Sequence, residues 1–129
     1  MADYRKLKVW QKAHSLSLHA HRAATRIRGQ HYAALRSQII RSASSMPTNI
    51  VEGREQKTDP AFARYLRFSI SSVSELEYHL LEAKDIEVIS ASEHHSLSSE
   101  VVEVRMMLHG LIRRLEGGEE DDAPKPESP

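Results

Sequence analysis

Apolar residues recur along this chain at steps of three and four, in four successive runs. Val9, Ala13, Leu16, Ala20, Ala23 and Ile27 are spaced 4-3-4-3-4, which is one stripe down a helix. Gly29 stops that run. A second begins near Tyr32 and turns Leu35, Ile39, Ala43, Met46 and Ile50 inward, with Gly53 placed as the residue that closes a helix C-terminus. The third opens with Thr58 or Asp59 as N-cap and Pro60 in the first turn, where a missing N–H does no harm. It continues through Phe62, Leu66, Ser69, Val73, Leu76, Leu80 and Ala83. The fourth follows a Ser/Glu/His-rich connection near residues 90–96 and carries the most regular heptad, Leu97, Val101, Val104, Leu108, Leu111 and Leu115. No segment alternates with period 2, and no Asn-Gly or Asp-Gly turn occurs, so strands are not expected. Short connections between long helices predict an all-α, antiparallel up-down-up-down four-helix bundle over residues 1–116. The rest, "GGEEDDAPKPESP" at 117–129, is rich in Gly, Pro and acid and reads as a disordered acidic tail.

One residue interrupts the pattern from within. Pro47 lies mid-way along the second helix, where a proline loses a backbone hydrogen bond and clashes with the carbonyl four residues back, at about 3 kcal/mol. The expectation is a second helix kinked at Pro47 and held by its neighbours. Ser44 and Ser45, or a water, would compensate the freed carbonyl, and Asn49 would bond a neighbouring helix at the bend. Two short helices with Asn49 and Glu52 as an N-cap-like pair are the alternative, and Gly53 leaves no room for the second of them.

Composition narrows the class. A chain of 129 residues suits one domain with a modest core. Cysteine is absent, which removes disulfides and thiol chemistry and points to a reducing compartment. No run approaches the roughly 20 apolar residues of a membrane span. The N-terminal "MADYRKLKVWQKAHS" is charged where a signal peptide is apolar. A cytoplasmic, soluble protein is expected.

The net charge of zero conceals a split. Residues 1–57 carry 11 Lys/Arg against 3 Asp/Glu, and residues 58–129 carry 7 against 15. That suits an anionic partner, self-association, or two halves that neutralise each other side by side. Lys8, Lys12, Ser15, His19, Arg22 and Arg26 repeat the 4-3-4-3-4 spacing one residue ahead of the apolar stripe. They therefore form a line about 100° round the helix from the core. Arg5, Lys8, Lys12, Arg22 and Arg26 are the candidate contacts to a row of phosphates, with Arg36, Arg41, Arg64 and Arg67 as extensions of open facing. Tyr4 and Trp10 are too few for base stacking, so RNA or DNA would be met by its backbone without sequence readout. The competing reading of the stripe is an ordinary solvated helix face.

Catalysis is not expected. No Glu is followed three residues on by His, as a di-metal bundle site requires. Glu75 with His79, His94 with His95, and His14 with His21 read as surface or flanking residues, and no phosphate-loop, dinucleotide, zinc-protease or nucleophile-elbow pattern occurs. No cofactor or metal is called for. Ser69, Ser71, Ser72, Ser74 and Gly110 are small residues suited to close helix approach. Leu7, Trp10, Met107 and Ile112 fall beside the main stripes and are candidate subunit-interface residues.

The stretches "LKVWQKA" at 7–13, "SQIIRSASSMPTNIVEG" at 37–53, "YLRFSISSVSELEYHLLEAKD" at 65–85 and "MLHGLIRRL" at 107–115 carry a resemblance. Together they resemble the small bacterial four-helix-bundle proteins first noticed as products of intervening sequences in 23S ribosomal RNA genes. The accessory variability determinant of diversity-generating retroelements is a relative of that family. The resemblance implies assembly into rings, commonly pentamers, and in the retroelement relative nucleic-acid binding and partnership with a reverse transcriptase. Pro47, Asn49, Glu52 and Gly53 match the family's structural motif; Ile40, Met46 and Ala61 depart from its usual residues. Two functions follow as expectations. One is a non-enzymatic, ring-forming accessory protein that binds RNA or DNA through the stripe on the first helix. The other is an oligomeric scaffold or adaptor for another protein, with the acidic tail keeping nucleic acid away. The charge split carries a separate expectation, that the acidic tail folds back over the stripe as an electrostatic competitor, so that deleting residues 117–129 raises nucleic-acid affinity.

Overall fold

The computed structural model describes residues 3–117, so the expected tail, apart from Gly117, lies outside the described residues. A 3-10 turn at Tyr4–Lys6 leads into α1 (Lys8–Thr25), and a second at Gln30–Tyr32 leads into α2 (Ala33–Arg54); α3 (Asp59–Asp85) and α4 (Ala91–Gly117) complete the fold. No strand occurs among the described residues. The chain is a four-helix bundle in which each helix packs on two neighbours, most extensively α2 on α3 and least α1 on α4. Contacts run in opposite numerical directions along each seam: Met46 meets Ser69 and Gly53 meets Phe62, while Lys12 meets Glu103 and Arg26 meets Glu93. Neighbouring helices are therefore antiparallel.

The stripes read from spacing form the core of α1, α2 and α3; Ala13, Leu16, Ile39, Met46, Leu66 and Leu76 are all fully buried. On α4 the stripe begins as expected with Leu97, Val101, Val104 and Leu108, then passes to Ile112, leaving Leu111 and Leu115 half-buried. A straight helix drifts by about 20° per heptad against a 3.5-residue repeat, so a strict heptad falls behind the core after two or three repeats. Ile112, expected at a subunit interface, is thus a core residue at 6% exposure.

Helix ends follow their caps. Thr58 Oγ1 accepts the Ala61 N–H at 3.2 Å, as its position predicts. The connection expected at 90–96 is instead helical from Ala91, because Ser90 Oγ accepts the Glu93 N–H at 3.0 Å and opens the helix. Between α3 and α4, Val88 and Glu87 N–H groups close on the carbonyls of Ala83 and Lys84, both at 2.9 Å, with Glu87 left-handed at φ 65°.

α2 is continuous through Pro47, which is buried. Three successive carbonyls beside it accept side-chain donors: Ser44 from Thr48 at 2.8 Å, Ser45 from Asn49 at 3.0 Å, and Met46 from Ser69 of α3 at 2.9 Å. Asn49 therefore bonds its own helix, contrary to expectation. It is Ser72 of α3 that crosses, donating to Ser45 Oγ at 2.8 Å, while Asn49 reaches the same oxygen at 3.1 Å. Gly53 does not close the helix, which runs on to Arg54. A Cβ at Gly53 would lie 2.9 Å from Phe62 Cδ1 and 3.0 Å from Tyr65 Cβ, so this glycine is what lets α3 approach. Glu52 is exposed, and its backbone carbonyl accepts Gln56 Nε2 at 3.0 Å.

Candidate functional site

The basic stripe of α1 lies on the flank turned to α4. Lys12 Nζ is 3.2 Å from a Glu103 oxygen, His19 Nδ1 is 3.0 and 2.9 Å from the two oxygens of Glu100, and Arg26 pairs with Glu93. Glu93, Glu100 and Glu103 form an acidic line along α4 that answers the basic line across the seam. Lys12 and Glu103 are each about half exposed, at 50% and 49%, so a pair of this kind contributes at most about 1 kcal/mol and is screened by salt.

Two stripe members form no ion pair among the described residues. Arg22 lines a cleft with Ser96 and with Glu93 and Glu100, whose carboxylates pair with Arg26 and His19 instead, and Lys8 faces Met107 and Leu111. Arg5 does not extend the line. It sits in the 3-10 turn before α1 and folds back on Asp3, donating its N–H at 2.9 Å and its Nε at 3.1 Å. The Arg5 guanidinium and backbone hydrogen bonds hold the Asp3 carboxyl below its ordinary range.

The four possible extensions are dispersed. Arg36 Nη1 donates to the carbonyls of Ile27 and Gly29, both at 2.9 Å, and ties the α1–α2 connection. Arg41 pairs with Glu75, Arg67 with Glu116 at 2.6 Å, and Arg64 lies 5.2 Å over the Phe68 ring. The basic first half and the acidic second half of the chain therefore meet across helix seams.

Among the described residues no three His, Cys, Asp or Glu side chains converge to hold a metal. Glu75 and His79 do not pair; Glu75 is engaged by Arg41, and His79 Nδ1 lies 3.2 Å from Glu82. His14 stacks on Trp10 at 4.7 Å, with Tyr4 edge-on to the same indole at 5.1 Å.

Of the interface candidates, Leu7, Trp10 and Met107 are half-buried against the core. The large apolar side chains exposed on the surface are others, chief among them Phe68, Tyr78, Leu81, Val102 and Met106. Tyr78 and Leu81 line a shallow α3–α4 groove with His94 and Ser98, and Val102 follows Ser98 by one turn. Their signal in the sequence was an apolar residue at a position the helical stripe leaves to solvent.

A sequence model of the 23S rRNA-intervening sequence proteins matches residues 5–110. The chain belongs to that family. This 23S rRNA-intervening sequence family member also resembles a crystal structure of a protein of unknown function from the S23 ribosomal protein family of Bacteroides thetaiotaomicron. The two share 21% identity with a TM-score of 0.76, over 81% of this chain and 98% of the other. No curated protein matches the sequence. The matched stretch contains the whole α1–α4 ladder and the Pro47–Gly53 motif. The family assignment thus covers the bundle that carries both. No helix among the described residues is long and apolar enough to cross a membrane.

Proposed function

We propose that this family member is a non-enzymatic scaffold, a bundle that self-associates, in a ring as the family resemblance implies, and docks another protein on its surface. The observation that carries this reading is the α1–α4 ladder. Lys12 and Arg26 already have their charge met by Glu103 and Glu93, and His19 is hydrogen-bonded to Glu100 between them, so the basic line serves as a seam. The uncovered α3–α4 surface with Tyr78, Leu81 and Val102 supplies apolar area of the kind protein partners cover.

Fluorescence anisotropy with single- and double-stranded RNA and DNA across a salt series, beside native mass spectrometry, tests it. The expected result is an assembly larger than the monomer and no nucleic-acid binding at about 150 mM salt. Tight binding with a log–log salt slope near −0.7 to −0.9 per phosphate, lost on charge reversal of Lys8, Lys12, Arg22 and Arg26, would overturn it.

A second reading, an accessory nucleic-acid-binding protein that also contacts a reverse transcriptase or similar enzyme, is favoured by one observation. Residues 3–117 carry 17 Lys/Arg against 13 Asp/Glu, and Lys8 and Arg22 lack an acidic partner among them. Under it, Glu93→Gln, Glu100→Gln and Glu103→Gln together strengthen binding about tenfold or more.

A further inference from the structure

The α1–α4 ladder ends at Lys12, and what lies beyond it is unlike the rest of the seam. Towards the start of α1 the two helices enclose a groove with Leu7, Met107 and Leu111 on its floor and Lys6, Lys8 and Arg114 on its rim. None of these three cations has an acidic partner within ion-pair distance among the described residues. Gly110 lies in the wall, and the small residue expected there for close helix approach does no such work. Among the described residues, a Cβ at Gly110 would meet nothing nearer than the Arg113 and Arg114 guanidinium ends at 3.9 Å. Glycine inside a helix costs about 1 kcal/mol against alanine. Here no helix contact explains it, and its effect is to leave the groove open.

We propose that this groove is the docking site for the chain's own acidic segment, residues 118–129, with Glu119, Glu120, Asp121 and Asp122 set against Lys6, Lys8 and Arg114. Charge complementarity is the first argument. The described residues have four more Lys/Arg than Asp/Glu, and residues 118–129 hold five acids and one lysine, an excess of four the other way. Reach is the second. α4 ends at Gly117, one turn past Arg114, and Gly110 lies about 10 Å back along the helix at roughly 1.5 Å per residue. Residues 118–122 span up to about 17 Å at roughly 3.3 Å each, enough to turn back into the groove. Tethering is the third. A short linker holds the segment at millimolar effective concentration, so ion pairs that are weak singly suffice. The fold-back over the α1 stripe is the poorer choice, because Lys12, His19 and Arg26 already have acids of their own. Docked in this way, the segment covers the acid-free cations at this end of the bundle, and an anionic partner must displace it to reach them.

Zero-length carbodiimide cross-linking of the full chain, read by mass spectrometry, tests the placement. Lys6 and Lys8 should cross-link to Glu119–Asp122 well above Lys12, Lys57 and Lys84, and the links should fade by about 0.5 M salt. An equal mixture of light and heavy-isotope chains should give unmixed links. Mixed links would mean a second copy supplies the segment, and links spread evenly over the lysines would mean no docking; either overturns the proposal. Arg114→Glu should cut the links about fivefold, and unchanged links would count against it. A chain ending at Gly117 should bind a polyanion probe such as heparin about threefold or more tighter than the full chain, and equal binding would sink the idea.

Discussion

The α2–α3 and α1–α4 seams belong to one bundle and are built on opposite principles. The first is closed by shape. Gly53 admits Phe62 and Tyr65, and hydroxyls of Ser69 and Ser72 cross to the Met46 carbonyl and to Ser45. The second is closed by polar side chains near the surface, two ion pairs and the His19–Glu100 hydrogen bond along its length, with an open apolar groove at its end. Packing in a dry seam is sensitive to a single methyl, whereas exposed ion pairs contribute little and fade with salt. Rigidity should therefore reside in α2–α3, and adjustability in α1–α4.

The sharpest way to break that contrast is Gly53→Val. The Tyr65 Cβ is tied to its backbone and the Phe62 ring is buried, so neither can clear the new side chain cheaply. A loss of about 3 kcal/mol is expected in chemical denaturation, from overpacking and β-branching in a helix. Glu100→Val, which puts the same β-branched side chain into the other seam in place of a part-exposed carboxylate, should cost well under half as much. Equal losses would show that the two seams are not different in kind.

Ser69→Ala comes next, at about 1 kcal/mol, because a fully buried hydroxyl bond to the Met46 carbonyl is lost. The loss should be the same at low and high salt, and a salt-dependent loss would argue against a dry, uncharged seam. Gly110→Ala should act in the opposite sense, raising stability by about 0.5–1 kcal/mol, since the added methyl gains helix propensity and meets no close neighbour. A destabilised Gly110→Ala would mean that the glycine serves packing after all.

Those two glycines also show what was legible in the sequence. Local spacing carried most of the fold: the α1 stripe is buried as read, and Thr58 caps α3. Glycine at position 53 reads as a helix terminus and glycine at 110 as a contact point, whereas the contact is at 53, and 110 sits inside α4 beside an open groove. What a glycine meets depends on the facing helix, and a single stripe does not encode that register. Ile112 was misplaced for a related reason, the slow drift of a 3.6-residue helix against a heptad. The charged seam was nearer to hand. Glu100 and Glu103 lie one residue ahead of Val101 and Val104, just as Lys12 and His19 lie one ahead of Ala13 and Ala20. Antiparallel neighbours turn that same flank toward each other, so the basic line had a visible complement.

The smallest effect makes the finest test. In a double-mutant cycle on Lys12→Ala and Glu103→Ala, the coupling energy should be about 0.3–0.5 kcal/mol at low salt. Both side chains are half exposed, so little of their Coulomb attraction survives the solvent around them. At 1 M salt the Debye length falls to about 3 Å, close to the 3.2 Å separation, and the coupling should shrink toward zero. A Ser45→Ala and Ser72→Ala cycle across α2–α3 supplies the control, since a neutral hydroxyl pair at 2.8 Å has no such screening. If the Lys12–Glu103 coupling persisted at high salt at the level of the serine pair, the α1–α4 seam would be held by packing rather than charge. The cations of α1 would then be less committed to α4 than their pairing implies, and the case for a scaffold over a nucleic-acid binder would weaken with it.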